Sequence, residues 1–452
     1  MTRYQTDSSW WRRANSEGDT VVAGSPLKVF RFSSAAQSVL EALENQKEVS
    51  NSSTSTIARL LEAGAVHPIL ESMNRDVQPS EVTVVIPVHN GRIEQLSKLV
   101  AQVCAAHKVL IVDDGSSPAL AEIAGSQIIR RDNAGGPAVA RNTALDHITT
   151  PITFFLDADT SLSDDSWINL LKHFADSSVG VVGPRIASEP GSTLLQRYEA
   201  SESPLDLGPE PARIRKNSRV SYVPTAALMI RTELLRQHQG FNESFRYGED
   251  VDLIWRLLEA DVVCRYEPSV VVLHSPRSSL LDAWKQRVSY GSAAAPLNQQ
   301  HPGAATPLRI NRWSAFAWSA LAIGHPIIGL TIGAGSTVAL ERKISSQPDS
   351  RILALRLAGR GNIHAGRMIA QAITRTWWPF ALVLALFSRR GRRVVLVASI
   401  LPALTKWFEK KPKVDPVSYC ALTLADDVAY GTGVWKGVIA TRDLGALSPK
   451  FD

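Results

Sequence analysis

From residue 82 to residue 274 the chain alternates between two spacings of its apolar side chains. Short runs rich in β-branched and aromatic residues read as strands buried on both faces: Val82–Val88, Val109–Val112, Ile128–Arg131, Ile152–Leu156, Val179–Val182, Ala226–Ile230, Val262–Tyr266 and Val270–Leu273. Between them, Ile93–Ala106 and Trp167–Ala175 place apolar residues every three or four positions, the period of a helix laying one face on a core. Strand and helix in turn predict an α/β domain over about 80–305, with a mixed, mostly parallel sheet covered on both sides. Such sheets bind ligands beyond the carboxyl ends of their strands, so that is where chemistry is to be sought.

The flanks are patterned differently. Residues 1–18 show neither period and are expected to form a flexible N-terminus; Met1–Arg13 lacks the apolar run of a signal peptide, so catalysis is expected in the cytosol. Over 19–75, Val21-Val22 and Leu27–Phe32 flank Gly24-Ser25-Pro26 as a hairpin. Helices follow at Ala35–Leu43 and Thr56–Ala63 across a polar run at 50–56, the outline of a winged-helix-like unit.

Residues 310–452 read as a helical, apolar C-terminal region. Trp313–Leu340 runs for 28 positions without a charged residue, enough to cross about 30 Å of hydrocarbon. Gly324, Pro326, Gly329, Gly333 and Gly335 interrupt it, which leaves a straight span, a broken or re-entrant helix and an interfacial helix all open. Thr376–Phe387 is too short to cross, and Val394–Leu404 follows the cluster Arg389, Arg390, Arg392, Arg393. Apolar segments around a basic cluster, with Trp377, Trp378 and Trp407 at their edges, predict a region seated on the cytoplasmic face of the cell membrane. An all-helical soluble cap is the alternative.

Composition changes this picture little. The 452 residues are 44% hydrophobic and 20% charged, ordinary for a folded chain with room for a catalytic domain and appendages. The net charge of +6 is modest and its basic excess sits late, which suits anionic lipid and not nucleic acid. Cys104, Cys264 and Cys420 are far apart and odd in number, which supports neither a disulfide framework nor a cysteine zinc site.

The candidate chemistry gathers at predicted strand ends. Phe154-Phe155-Leu156-Asp157-Ala158-Asp159 delivers two carboxylates from an apolar strand, a credible site for a hard divalent cation, Mg²⁺ or Mn²⁺. Val112-Asp113-Asp114-Gly115-Ser116 offers acceptors for a pyrimidine N–H or ribose hydroxyls, although an Asp-Gly turn accounts for it equally. Asn133-Ala134-Gly135-Gly136-Pro137 opens a helix carrying Arg141 and Asn142, with Pro at the first helical position leaving amide donors pointing outward. Gly248-Glu249-Asp250-Val251-Asp252 puts carboxylates at a helix N-terminus, suited to a general base or simply to capping. His274 ends the last strand, where a neutral imidazole would complete a metal shell or lie at the surface.

In this order, Val85-Ile86-Pro87-Val88-His89-Asn90, Val112-Asp113-Asp114-Gly115-Ser116, Ala140-Arg141-Asn142, Leu156-Asp157-Ala158-Asp159 and Gly248-Glu249-Asp250 resemble the family 2 glycosyltransferases of the GT-A fold. The resemblance implies that Pro87, Asp113, Asp114, Arg141 and Asp157 hold a UDP-sugar donor. It further implies that Asp157, Asp159 and His274 bind the metal and that Asp250 is the base activating an acceptor hydroxyl, with inversion. The Gln-x-x-Arg-Trp signature of processive relatives is missing; Gln286-Arg287 lie adjacent instead.

Leu60–Pro68, Leu424–Gly431 and the segment from Gly24-Ser25-Pro26 to Leu43 are similar to the glycosyltransferases of mycofactocin biosynthesis. That likeness implies glucose transfer from UDP-glucose to a small peptide-derived redox cofactor or its precursor, and residues 19–75 resemble peptide-binding winged-helix modules. A family 2 enzyme acting on a lipid or polysaccharide acceptor is the runner-up. A sugar-nucleotide nucleotidyltransferase would want a basic Gly-rich loop where Pro87-Val88-His89-Asn90-Gly91 stands, and a non-catalytic membrane scaffold would not need Asp157, Asp159 and Asp250.

Overall fold

The computed structural model describes residues 2–15, 18–49, 54–163, 165–277, 279–345 and 349–451. They form two compact units, Met1–Glu189 with Glu202–Pro276, and Pro190–Ser201 with Arg277–Asp452.

The first unit opens with β1 (Tyr4–Thr6), β2 (Trp11–Asn15), β3 (Gly18–Ala23), β4 (Lys28–Phe32), α1 (Gln37–Glu44), α2 (Thr54–Glu62) and β5 (Val66–Pro68). β2, β3 and β4 make an antiparallel sheet, β1 pairs with β5, and Val21, Phe30, Leu40, Leu43, Leu60 and Val66 form the core beneath them. The expectation of a flexible tail over 1–18 is corrected here. β2 lacks a pattern of its own, but it pairs along β3, Trp11 opposite Val22. Arg12 reaches Asp19 at 2.5 Å and Glu44 at 2.9 Å, so the stabilising partners come from later in the chain. Residues 16–17 of that tail and 50–53 of the polar run lie outside the described residues.

The same unit holds β6 (Val82–Val88), α3 (Ile93–Gln102), β7 (Lys108–Asp114), β8 (Gln127–Arg131), α4 (Pro137–Thr143), β9 (Ile152–Leu156), β10 (Thr160–Leu162) and β11 (Val179–Ser188). After α5 (Leu194–Glu202) come β12 (Ala212–Arg213), β13 (Ala227–Arg231), α6 (Thr232–Gln237), α7 (Glu249–Glu259) and β14 (Val263–His274). The sheet runs β10-β14-β11-β13-β9-β6-β7-β8, with β12 on β14. β6 lies parallel to β7 and β9, and β7 to β8, while β13 is inserted antiparallel between β9 and β11.

Alternation along β6 explains the layering. Val84, Ile86 and Val88 join a core with Leu96 and Leu99 of α3, and Val85 joins a second core with Ala138 and Ala140 of α4 and Leu253 and Leu257 of α7. The result is the expected α/β architecture, a mixed, mostly parallel sheet with helices packed on both faces. Two details differ from the expectation. The runs 262–266 and 270–273 are one strand, because pairing with β11 absorbs Pro268 at a register shift. Trp167–Ala175 is wound as 3₁₀ turns, not as an α-helix.

The second unit is built from α5 together with α8 (Leu280–Ser292), α9 (Ala294–Gln300), α10 (Arg312–Ala322), α11 (Pro326–Lys343), α12 (Ser350–Arg375), α13 (Trp378–Phe387), α14 (Arg389–Lys410) and α15 (Pro416–Thr441). β15 (Arg309–Ile310) and β16 (Lys450–Phe451) pair in parallel. The long apolar stretch breaks at Gly324, whose φ is 91°. No single described helix is long and apolar enough to cross a membrane; α12 and α13 pass only together, bent by 86°. The boundary expected near 305 falls instead after Pro276, since α8 packs on α15 through glycines. A Cβ on Gly291 would lie 2.0 Å from the Tyr430 carbonyl oxygen, and one on Gly433 2.0 Å from that of Val288.

Backbones in such contact leave no room for a methyl group, and overpacking costs about 1–3 kcal/mol. Gly433→Ala is expected to lower the thermal midpoint by several degrees. Gly359→Ala, in α12 with nothing within 4 Å of its Cβ position, is expected to leave the midpoint unchanged or raise it, read by differential scanning calorimetry of both variants.

Candidate active site

β9 ends in a tight reversal. The Asp157 amide donates to the Ala226 carbonyl at 3.0 Å, and the amide and hydroxyl of Thr160 donate back to the Asp157 carbonyl at 3.1 and 2.7 Å. The chain thus turns directly into β10, where Thr160 stands opposite His274 of β14, and the Ser275 amide donates to the Asp159 carbonyl at 3.1 Å. The result is a carboxylate–imidazole pair: Asp159 Oδ2 lies 3.3 Å from His274 Nε2, with the aspartate side chain 36% exposed and the histidine 10%. Glu189, just past the end of β11, ties the two strands together. Its carboxylate accepts from the hydroxyls of Ser161 at 3.0 Å and Ser275 at 3.1 Å, and its amide donates to the His274 carbonyl at 3.0 Å. Sequence reading passed over Glu189, since nothing local marks it.

Asp157 turns the other way. Its Oδ1 accepts from Arg141 Nη2 at 2.7 Å, while Arg141 Nη1 donates to Glu249 Oε1 at 2.8 Å. The Arg141 side chain is only 3% exposed, its guanidinium carbon stands 5.4 Å from the Phe241 ring centre, and its Nε has no hydrogen-bond partner among the described residues. Burial disfavours its charge, but the two carboxylates outweigh that and hold its pKa above the ordinary value. Arg141, expected to hold the donor, therefore brackets the end of β9 against the start of α7.

α7 begins at Gly248, whose φ of 82° is left-handed and lets the chain enter the helix abruptly. Three carboxylates fill its first turn. Glu249 is taken by Arg141, and Asp252, fully buried, accepts from Arg256 Nε at 2.8 Å. Asp250 instead accepts from the Val251 amide at 2.8 Å and, among the described residues, has no ion-pair partner. Burial and the neighbouring charge of Glu249 push its pKa up to about 7. A carboxylate poised near neutral pH with an unengaged oxygen is what proton abstraction requires.

The strand-end carboxylates of β7 are occupied within the fold. Asp113 accepts from the amides of Ser116 and Leu120, each at 3.0 Å, and from Arg130 at 2.6 Å. Burial would raise its pKa, yet these donors hold it below the usual range. Asp114 accepts from Arg131 at 2.9 Å and from the amides of Gly135 and Gly136, the latter at 2.7 Å. The Gly-Gly amides expected to point outward ahead of Pro137 are thus turned onto Asp114, because a buried carboxylate must be matched by donors. Pro87, opposite Val112 in β7, sits half-buried one residue before the end of β6.

Among the described residues no three His, Cys, Asp or Glu side chains converge as a metal cage. Asp157, expected as a third ligand, is drawn onto Arg141. The Asp159–His274 pair fits a divalent cation whose remaining ligands are phosphate oxygens and water, the way Mg²⁺ is held beside a phosphorylated substrate.

Comparison with known proteins defines the class, a sugar-transferring enzyme. Residues 83–237 match the Glycosyl transferase family 2 model. Over nearly its whole length the chain is similar to the pre-mycofactocin glycosyltransferase of Mycobacterium tuberculosis, 37% identical over 97% of this chain and 96% of that one. The chain belongs to family 2 of the glycosyltransferases and is a hexosyltransferase-type enzyme. A more distant relative matches a smaller share: the succinoglycan biosynthesis protein ExoU of Rhizobium meliloti is 28% identical over 40% of this chain and 57% of its own. Among solved structures, a mannosyltransferase from Pyrobaculum calidifontis aligns at 19% identity with a TM-score of 0.35, over 75% of this chain and 92% of that one.

Three outcomes are expected around Asp250. Because its ionised form dominates only above its raised pKa, kcat/KM is expected to climb with pH through about 7 and level off above it. Glu249→Gln, which removes the neighbouring negative charge, moves that limb to lower pH. Asp250→Asn abolishes the limb and lowers turnover by about 10²–10⁴-fold, with affinity for the sugar donor by calorimetry little changed.

Proposed function

We propose that this enzyme transfers a hexose, glucose from UDP-glucose, onto mycofactocin or its peptide-derived precursor, forming a β-linkage with inversion. The observation that carries the reading is the 37% identity along 97% of the chain, which takes in the segments on both sides of the catalytic sheet. An acceptor hydroxyl oxygen attacks the anomeric carbon as Asp250 takes its proton, and the bond from that carbon to the diphosphate oxygen breaks. Arg141 keeps the base helix and the Asp157 turn in register while this happens. Asp159 and His274 would hold Mg²⁺ or Mn²⁺, which when bound neutralises the charge developing on the departing UDP. Pro87, Asp113, Asp114 and Asp157 frame the nucleotide end of the site, as the family resemblance implies. The β2–β4 sheet with its two helices is the part we assign to the peptide portion of the acceptor.

Incubating the purified chain with UDP-glucose and the acceptor should add increments of one hexose, seen by mass spectrometry together with UDP release. Hexose appearing on a lipid or polysaccharide and not on the peptide-derived compound would overturn the acceptor assignment. Asp159→Asn is expected to abolish metal-dependent transfer while the fold is retained. Glu189→Gln, which weakens the clamp on both strands, is expected to raise the Mn²⁺ dissociation constant about 10–100-fold, measured by calorimetry in the presence of UDP.

A further inference from the structure

α13 reads Trp-Pro-Phe-Ala-Leu-Val-Leu-Ala-Leu-Phe, apolar at every position, yet none of its residues is buried. A helix apolar all round belongs in a core or in hydrocarbon, because in water its side chains order solvent at every turn. Phe387 at its end is 86% exposed. α14 continues the surface with Leu396, Val397, Ile400 and Leu401, spaced as one helical stripe and all exposed, and on α11 Ile327 is 79% exposed. Contiguous apolar surface on this scale marks an interaction face.

Charge identifies the occupant. Arg389, Arg390, Arg392 and Arg393 stand exposed where α13 passes into α14. Arg390 donates to the Ile323 carbonyl at 3.0 Å and Arg392 to that of Ala385 at 3.2 Å, which fixes the cluster beside the end of α13. Next to it an apolar groove of about 340 Å³ opens, walled by Trp377, Phe380, Leu384, Val394 and Leu447. A second copy of the chain docked on this face would bring in a second arginine cluster and so double the positive charge at the contact. An acidic soluble partner would leave the apolar stripe unanswered. A phospholipid leaflet with anionic headgroups answers both at once.

We infer that this face of the second unit seats on an anionic phospholipid surface. α13 and the first half of α14 lie at the boundary between headgroups and acyl chains, the arginines meet lipid phosphates, and the groove takes an acyl tail. The seating is interfacial, in keeping with the absence of any single described helix able to cross.

The test is flotation of the full-length protein with phosphatidylcholine vesicles, with and without phosphatidylglycerol. Binding is expected with the anionic vesicles and is expected to weaken as salt rises. Arg389→Gln combined with Arg393→Gln should lower partitioning roughly 25-fold, at about fivefold per arginine, with circular dichroism and vesicle-free transfer unchanged. Phe387→Ser should lower it about 10-fold through lost apolar contact. Equal binding to neutral and anionic vesicles would overturn the inference, as would no flotation at all. So would a concentration-dependent dimer, seen by analytical ultracentrifugation, that Phe387→Ser dissolves in a protein that does not float.

Discussion

Arg141 is a cation with almost no access to water, and the reaction centre is arranged around that constraint. A buried guanidinium persists only where carboxylates and hydrogen bonds compensate for lost hydration, and removing one partner of such a group typically costs about 3–5 kcal/mol. Here the compensation comes from two places remote in sequence, the turn after β9 and the first residue of α7. Meeting the electrostatic need of one side chain therefore brings the turn after β9 and the first turn of α7 into a single frame. It also places Glu249 beside Asp250, where its charge adds to burial in lifting the affinity of Asp250 for a proton.

Sorting the acidic residues by their donors gives each a different task. Asp113 and Asp114 have arginines and backbone amides on them, and they fasten β8 and the glycine turn to the end of β7. Asp252 locks onto Arg256 within its own helix. Asp159 faces an imidazole, and Asp250 accepts a single amide among the described residues, so Asp250 keeps capacity for something from outside. In a site this rich in carboxylates, what is left over after internal pairing is more informative than the presence of an aspartate.

The sheet was legible because each of its central strands carries its own signature. Val82–Val88 and Ile152–Leu156 are apolar enough to announce burial on both faces without knowledge of their neighbours. What escaped was whatever depends on a distant partner. β2 is polar on its own and becomes a strand through Asp19 and Glu44. β10 is three residues long and exists because β14 lies beside it. Within the site, aspartates at strand ends could be singled out from spacing alone. The bracket formed by Arg141 joins residues 16 and 108 positions away, and no local pattern encodes such distances. Glu189 is similar: its serines lie 28 and 86 positions from it.

The glycine-lined contact between α8 and α15 bears on how the chain comes to be folded. α8 is made soon after the catalytic sheet is complete, but the helix that fits against it arrives near the end of synthesis; the ion pair joining them, Arg287 to Asp426, closes a loop of 139 residues. Contacts of such separation form late, after the entropy of closing the loop has been met. The catalytic sheet can therefore mature while still attached to the ribosome, whereas α8 must wait with its glycine face uncovered until the last helix emerges. A chain cut short anywhere between the two helices would lack the partner that covers α8, so proteolytic turnover of unfinished chains should begin in that half of the molecule.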